Sequence, residues 1–108
     1  MIICGDRIII IDDDRVRVTD LDGFPIGAPV LNNTPGQGRQ TVTVTEDRIL
    51  ITDRNGTRVF DKATMLLITT IAVVGLSRQQ VTADGNRILI VEENQTRIFG
   101  TDGVQRGA

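Results

Sequence analysis

The stretch Arg48-Ile49-Leu50-Ile51-Thr52-Asp53-Arg54-Asn55-Gly56-Thr57-Arg58-Val59-Phe60 returns thirty-nine positions later as Arg87-Ile88-Leu89-Ile90-Val91-Glu92-Glu93-Asn94-Gln95-Thr96-Arg97-Ile98-Phe99. Eight of the thirteen positions are identical, and recurrence at a spacing near forty residues is the mark of a repeat architecture. An earlier copy lies forty-one positions upstream: Arg7-Ile8-Ile9-Ile10 matches Arg48 onward, and Arg17-Val18 matches Arg58-Val59. The 108 residues therefore form a single domain, 1–108, of three units at about 1–39, 40–78 and 79–108, the last about ten residues short.

Each unit reads as short strands joined by turns. In the second, Thr41 to Thr45 alternates Thr and Val, Glu46-Asp47 is a polar break, and Arg48 to Asp53 is the next strand. Asn55-Gly56 is a two-residue hairpin signal, Thr57 to Asp61 returns, and a fourth strand runs from Leu66 to Val73 after Lys62-Ala63-Thr64. Fourteen Ile, eleven Val and thirteen Thr favour pleated surfaces over helix. A helix over 65–74 competes with the fourth strand, because that run has neither Pro nor Gly.

A loop at Asn55-Gly56 places Asp53 opposite Arg58. By the same reasoning, a loop at Asn94-Gln95 places Glu92 opposite Arg97, and one at Asp14-Arg15 places Asp12 opposite Arg17. All three units thus predict a cross-strand acid–arginine pair at one site, read as a structural salt bridge. The runs Ile8 to Ile11, Ile49-Leu50-Ile51 and Ile88-Leu89-Ile90-Val91 are apolar at every position, so both faces of those strands should be covered. The fold class that follows is all-β: three four-stranded antiparallel blades of the β-propeller type, each needing a neighbour on either side.

The segment Ala83-Asp84-Gly85-Asn86-Arg87-Ile88-Leu89-Ile90-Val91 resembles the Asp-Gly-Asn turn and second strand of the NHL-repeat β-propellers. Asn94-Gln95-Thr96-Arg97-Ile98-Phe99 and Thr101-Asp102-Gly103 are similar to that family's next hairpin, aromatic position and Asp-Gly turn. Leu21-Asp22-Gly23-Phe24 and Gly36-Gln37-Gly38 look like its inter-blade connection. The chain departs from the pattern in lacking a proline before the first strand and in placing Thr19 where the later units carry Phe60 and Phe99. Family members are generally six-bladed, so the resemblance implies a half-propeller that closes by oligomerisation, most simply as a homodimer.

Composition narrows the function. With no histidine, the commonest general base and metal ligand is missing, and one cysteine excludes an internal disulfide or a cysteine zinc cage. The metal-dependent chemistry of the family's lyase members is thus not expected; the chain reads as a non-enzyme without cofactors. A net charge of -2, with eleven arginines and Lys62 alternating with acids, makes nucleic acid an unfavoured partner. The apolar run Met65 to Leu76 is too short to cross a bilayer, and the N-terminus carries no basic leader. The expected location is the cytoplasm or an assembled particle.

Candidate sites are few. Asp12-Asp13-Asp14, with Asp20 and Asp22, lacks the alternating spacing of a calcium loop and reads as turn residues. Asn32-Asn33-Thr34 is a formal glycosylation acceptor that reads as loop, and Gly36-Gln37-Gly38-Arg39-Gln40 lacks phosphate-loop spacing and reads as a linker. Cys4 reads as a buried inert thiol, and Ser77, the single serine, has no histidine to activate it. Arg7, Arg48 and Arg87 open each second strand and form the best ligand candidate, a ring able to hold phosphate or carboxylate. The turn acids Asp6, Glu46 and Asp47 compete for them by local pairing.

Two functions remain in view. One is a non-enzymatic structural subunit that oligomerises through its blades within a larger particle, as a viral capsid decoration or tail component would. The other is an oligomeric module binding a glycan, peptide or RNA. The lack of Trp and Tyr, leaving Phe24, Phe60 and Phe99 as the only aromatics, weighs against sugar and RNA platforms.

Overall fold

The computed structural model describes residues 1–33, 36, 38–75, 78–84 and 86–107. Thr34 of the glycosylation motif, Gln37 of the linker, Ser77, Gly85 of the Asp-Gly-Asn turn and Ala108 lie outside the described residues. Twelve strands are present, with no helix among the described residues. They are β1 (Ile2–Cys4), β2 (Arg7–Ile11), β3 (Arg15–Thr19), β4 (Val30–Leu31), β5 (Thr41–Val44), β6 (Arg48–Asp53), β7 (Gly56–Asp61), β8 (Leu67–Ala72), β9 (Gln80–Asp84), β10 (Arg87–Val91), β11 (Thr96–Gly100) and β12 (Gln105–Gly107). The stretch 65–74 that admitted a helix holds strand β8, paired along β7. Its β-branched Ile68, Thr69, Thr70 and Ile71 favour that choice.

The strands form three antiparallel four-stranded sheets in sequential order: β1 to β4 (sheet 1), β5 to β8 (sheet 2) and β9 to β12 (sheet 3). Sheet 2 lies between the other two. On β6, Ile49 and Ile51 pack with Ile9, Val16, Val18 and Val30 of sheet 1, while Leu50 packs with Ile88, Ile90 and Phe99 of sheet 3. All three β6 residues are fully buried, so the unbroken apolar run has the two-sided cover that its pattern demands. Each such side chain stabilises the fold by about 1.5–3 kcal/mol relative to exposure.

The equivalent positions on the outer sheets are not covered. Ile8 and Ile10, matching Ile49 and Ile51, point away from sheet 2 and are half-buried. Leu89 and Ile98, matching Leu50 and Val59, are half-buried on the outer face of sheet 3, where Val91 is also exposed. Among the described residues no helix is long and apolar enough to cross a membrane.

The hairpins correct the expected register. Asp53 pairs with Gly56 and Ile51 with Arg58, so the loop is Arg54-Asn55 and not Asn55-Gly56. The third unit pairs Ile90 with Arg97, and the first pairs Ile10 with Arg17, so Glu92 and Asp12 do not stand directly opposite their arginines either. In the second unit Gly56 accounts for the difference. Its φ is +148°, and a Cβ there would collide with the carbonyl oxygen of Ile71 on β8, so the glycine serves a close strand approach, not the turn. Asp53 completes the turn from its first position, its Oδ1 accepting the Asn55 N–H at 2.8 Å.

Candidate functional site

Most of the side chains singled out in the sequence meet at the junctions between sheets. All three acid–arginine pairs form: Arg17–Asp12 at 3.0 Å, Arg58–Asp53 at 3.2 Å and Arg97–Glu92 at 2.6 Å. They form although the register is off by two residues, because a shift of two keeps each side chain on the same face of the sheet. Asp53 sits beside Gly56 and reaches Arg58 along the diagonal, a span that a long arginine covers.

Two of the pairs are latches between sheets. Arg58 also donates from Nη2 to the Leu31 carbonyl of sheet 1 at 2.7 Å, and Asp53 Oδ2 accepts the Asn33 N–H at 3.2 Å. One sheet further, Arg97 donates to the Ala72 carbonyl at 2.9 Å, and Glu92 Oε2 accepts the Val74 N–H at 2.7 Å. Glu92 and Arg97 meet through two hydrogen bonds, at 2.6 and 2.7 Å, with the Glu92 side chain wholly buried. Arg97 also lies over the Phe99 ring, 5.3 Å from its centroid. Burial pushes the Glu92 carboxyl up, but the Arg97, Val74 and Gln79 hydrogen bonds together outweigh it and hold the group below the ordinary glutamate value.

Buried glutamines complete the latches, and sequence reasoning missed them. Gln79 accepts from the Thr57 hydroxyl at 2.7 Å and donates to Glu92 at 3.2 Å. Gln40, in the amide orientation that satisfies both its ends, donates to the Val30 carbonyl at 3.1 Å and accepts from Arg58 at 2.7 Å. The signal was present: Gln40 returns as Gln79, with Val42-Thr43 returning as Val81-Thr82. Among the described residues no buried side-chain polar atom lacks a partner.

Arg7 and Arg48 form a second repeated contact. Arg7 Nε donates to the Lys62 carbonyl at 3.1 Å, in the turn after β7, and Arg48 Nε donates to the Thr101 carbonyl at 2.9 Å, in the turn after β11. Each arginine thus fastens its sheet to the next. Local acids stand nearby as well, Asp6 at 3.1 Å from Arg7 and Asp47 at 3.6 Å from Arg48. Arg87, the third member, is exposed and makes no side-chain hydrogen bond or ion pair among the described residues. Asn86 replaces the flanking acid, and Gly100 faces Arg87 where Asp61 faces Arg48.

These arginines line successive grooves along one edge. A groove of 430 Å³ holds Arg7, Arg48 and Lys62 together with Asp6, Glu46, Asp47 and Asp61, so carboxylates outnumber the cations and do not favour an anion. The next, of 350 Å³, holds Arg48, Arg87 and Arg106 beside Asp102. Cys4 is half-buried, not buried, and lines a third groove of 960 Å³. The acids at 12–14 each meet their own arginine: Asp12 with Arg17, Asp13 with Arg39 and Asp14 with Arg15. Among the described residues no three His, Cys, Asp or Glu side chains are grouped to hold a metal ion.

Compared with protein-family models, with curated proteins and with solved structures, the chain matches none.

Proposed function

We propose that the chain is a non-enzymatic assembly subunit whose three sheets act as propeller-type blades and whose two outer faces are closed by further subunits, most simply in a homodimer of six blades. The observation that carries this reading is the repetition of one set of positions in two environments. Ile49, Ile51, Leu50 and Val59 of the middle sheet are fully buried, and their counterparts Ile8, Ile10, Leu89 and Ile98 lie on uncovered faces. Apolar faces of this kind mark protein interfaces. The non-enzymatic part of the proposal rests on the missing histidine and on arginines and carboxylates already engaged with one another.

The NHL-like resemblance agrees with this arrangement, since a ring of blades covers every sheet on both faces. Native mass by light scattering across a concentration series tests the proposal. A stable dimer, or a larger closed species, is the expected result; a monomer at every concentration overturns self-assembly.

A further inference from the structure

Resting on that assembly reading, we infer that copies of this chain join head to tail, with Arg87 of one copy donating to the backbone carbonyls of the Asp20–Gly23 turn of the next. The inference comes from a contact the chain makes twice within itself. Arg7 reaches from sheet 1 to the turn after β7, and Arg48 reaches from sheet 2 to the turn after β11. Arg87 holds the same place on sheet 3, at the start of β10, and among the described residues no further sheet packs against that side.

The receiving turn is equally recognisable. The acceptor turns share a backbone bond that closes them: Asp61 N–H to the Leu66 carbonyl in sheet 2, Gly100 N–H to the Val104 carbonyl in sheet 3 and Asp20 N–H to the Phe24 carbonyl in sheet 1. This equivalence aligns Leu21 with Lys62 and Thr101, whose carbonyls accept the two arginines within the chain. Leu21 is 58% exposed, and among the described residues no sheet packs against the outer face of sheet 1, to which the turn belongs.

Charge and shape favour the pairing. Arg87 has no ion-paired acid of its own, while the turn carries Asp20 and Asp22, neither in an ion pair among the described residues. The outer face of sheet 3 offers Leu89 and Ile98, the counterparts of what sheet 2 presents to sheet 3. The outer face of sheet 1 offers Ile8 and Ile10, the counterparts of what sheet 2 presents to sheet 1. Placed together, the two faces rebuild the junction that the chain contains twice. At Thr19, smaller than Phe60 and Phe99, the sheet 1 side has a hollow of 430 Å³, lined by Ile8, Ile10, Val18 and Pro25, open to apolar side chains of a second copy. A contact between unlike faces closes into a ring if the rotation allows and otherwise continues as a filament.

The test uses the full chain with Cys4→Ser, so that introduced cysteines are the only thiols. Arg87→Cys and Leu21→Cys chains are prepared separately, mixed, and treated with a short bis-maleimide. The pair Arg48→Cys with Thr101→Cys in one chain calibrates the reagent, since those positions hold the contact already seen. Both intermolecular sites are exposed, and circular dichroism verifies folding of each variant.

The expected result is a covalent dimer in the mixture, with little in either chain alone, and self-association of Arg87→Ala weakened on the order of tenfold. If light scattering shows an oligomer while the mixture does not cross-link and Arg87→Ala associates normally, this contact is wrong and the assembly reading stands. A chain that remains monomeric at every concentration removes both.

Discussion

The middle sheet and the two outer sheets are built from nearly the same residues and differ in what covers them. Ile49, Leu50 and Ile51 are sealed from water, whereas Ile8, Ile10 and Leu89 retain one half-open side. The ion pairs repeat this contrast. Glu92–Arg97 has side-chain exposures of 0% and 14%, and Asp12–Arg17 has 44% and 48%. One motif therefore works as a buried latch at a junction and as a solvated surface pair at a free face. What a repeat residue contributes is set by whether a neighbouring sheet is present.

The largest expected separation is in the core. Leu50→Ala should lower the unfolding free energy by about 2–5 kcal/mol in a denaturant titration, through lost burial and the cavity left behind. Leu89→Ala, its counterpart on the open face, should lower it by under about 1 kcal/mol in dilute protein. Its cost should rise toward the Leu50 figure where copies associate, and equal costs at all concentrations would break the comparison.

Next in size is the latch. Glu92→Gln should cost about 3 kcal/mol, since it leaves a mostly buried guanidinium without its carboxylate. Asp12→Asn removes an exposed pair and should cost under about 1 kcal/mol. The hairpin glycine follows. Gly56→Ala should cost about 2 kcal/mol from a strained φ and the contact with the Ile71 carbonyl, whereas Gln95→Ala at the matching position should stay within about 0.5 kcal/mol. Thermal melts of the two variants check this difference.

The smallest effect is the pH dependence. The Glu92 carboxyl sits below its ordinary value of 4.5 in the folded chain, so on acidification the unfolded chain takes up that proton first. Its contribution to stability is therefore complete above about 4.5 and is lost as pH falls through the lower folded value. Urea midpoints measured from neutral pH into acid should fall less steeply for Glu92→Gln than for the parent chain.

Much of this was legible in the residues. The offset between Arg48–Phe60 and Arg87–Phe99 exposed the repeat, and the apolar triplets Ile49-Leu50-Ile51 and Ile88-Leu89-Ile90 told of strands meant for two-sided cover. The acid–arginine pairs were legible because facing depends on parity, which survives a register error of two. The register itself was not. Asn55-Gly56 carries the usual hairpin signal, but the glycine answers to strand β8, whose approach is invisible along the chain. The latch glutamines were visible as a repeat, yet nothing local marks Gln40 or Gln79 as buried, because each has a partner on another sheet, Thr57 for Gln79 and Val30 for Gln40.

By itself, the sequence determined three all-β units, the sidedness of their strands and the pairing of each arginine with an acid, since spacing and alternation act over a few residues. Only the tertiary structure decided which copies of the motif are buried. It also spends Arg7 and Arg48 on neighbouring carbonyls and, among the described residues, leaves Arg87 without one. Those outcomes depend on how many sheets stand on either side, a property of stacking that no single repeat encodes.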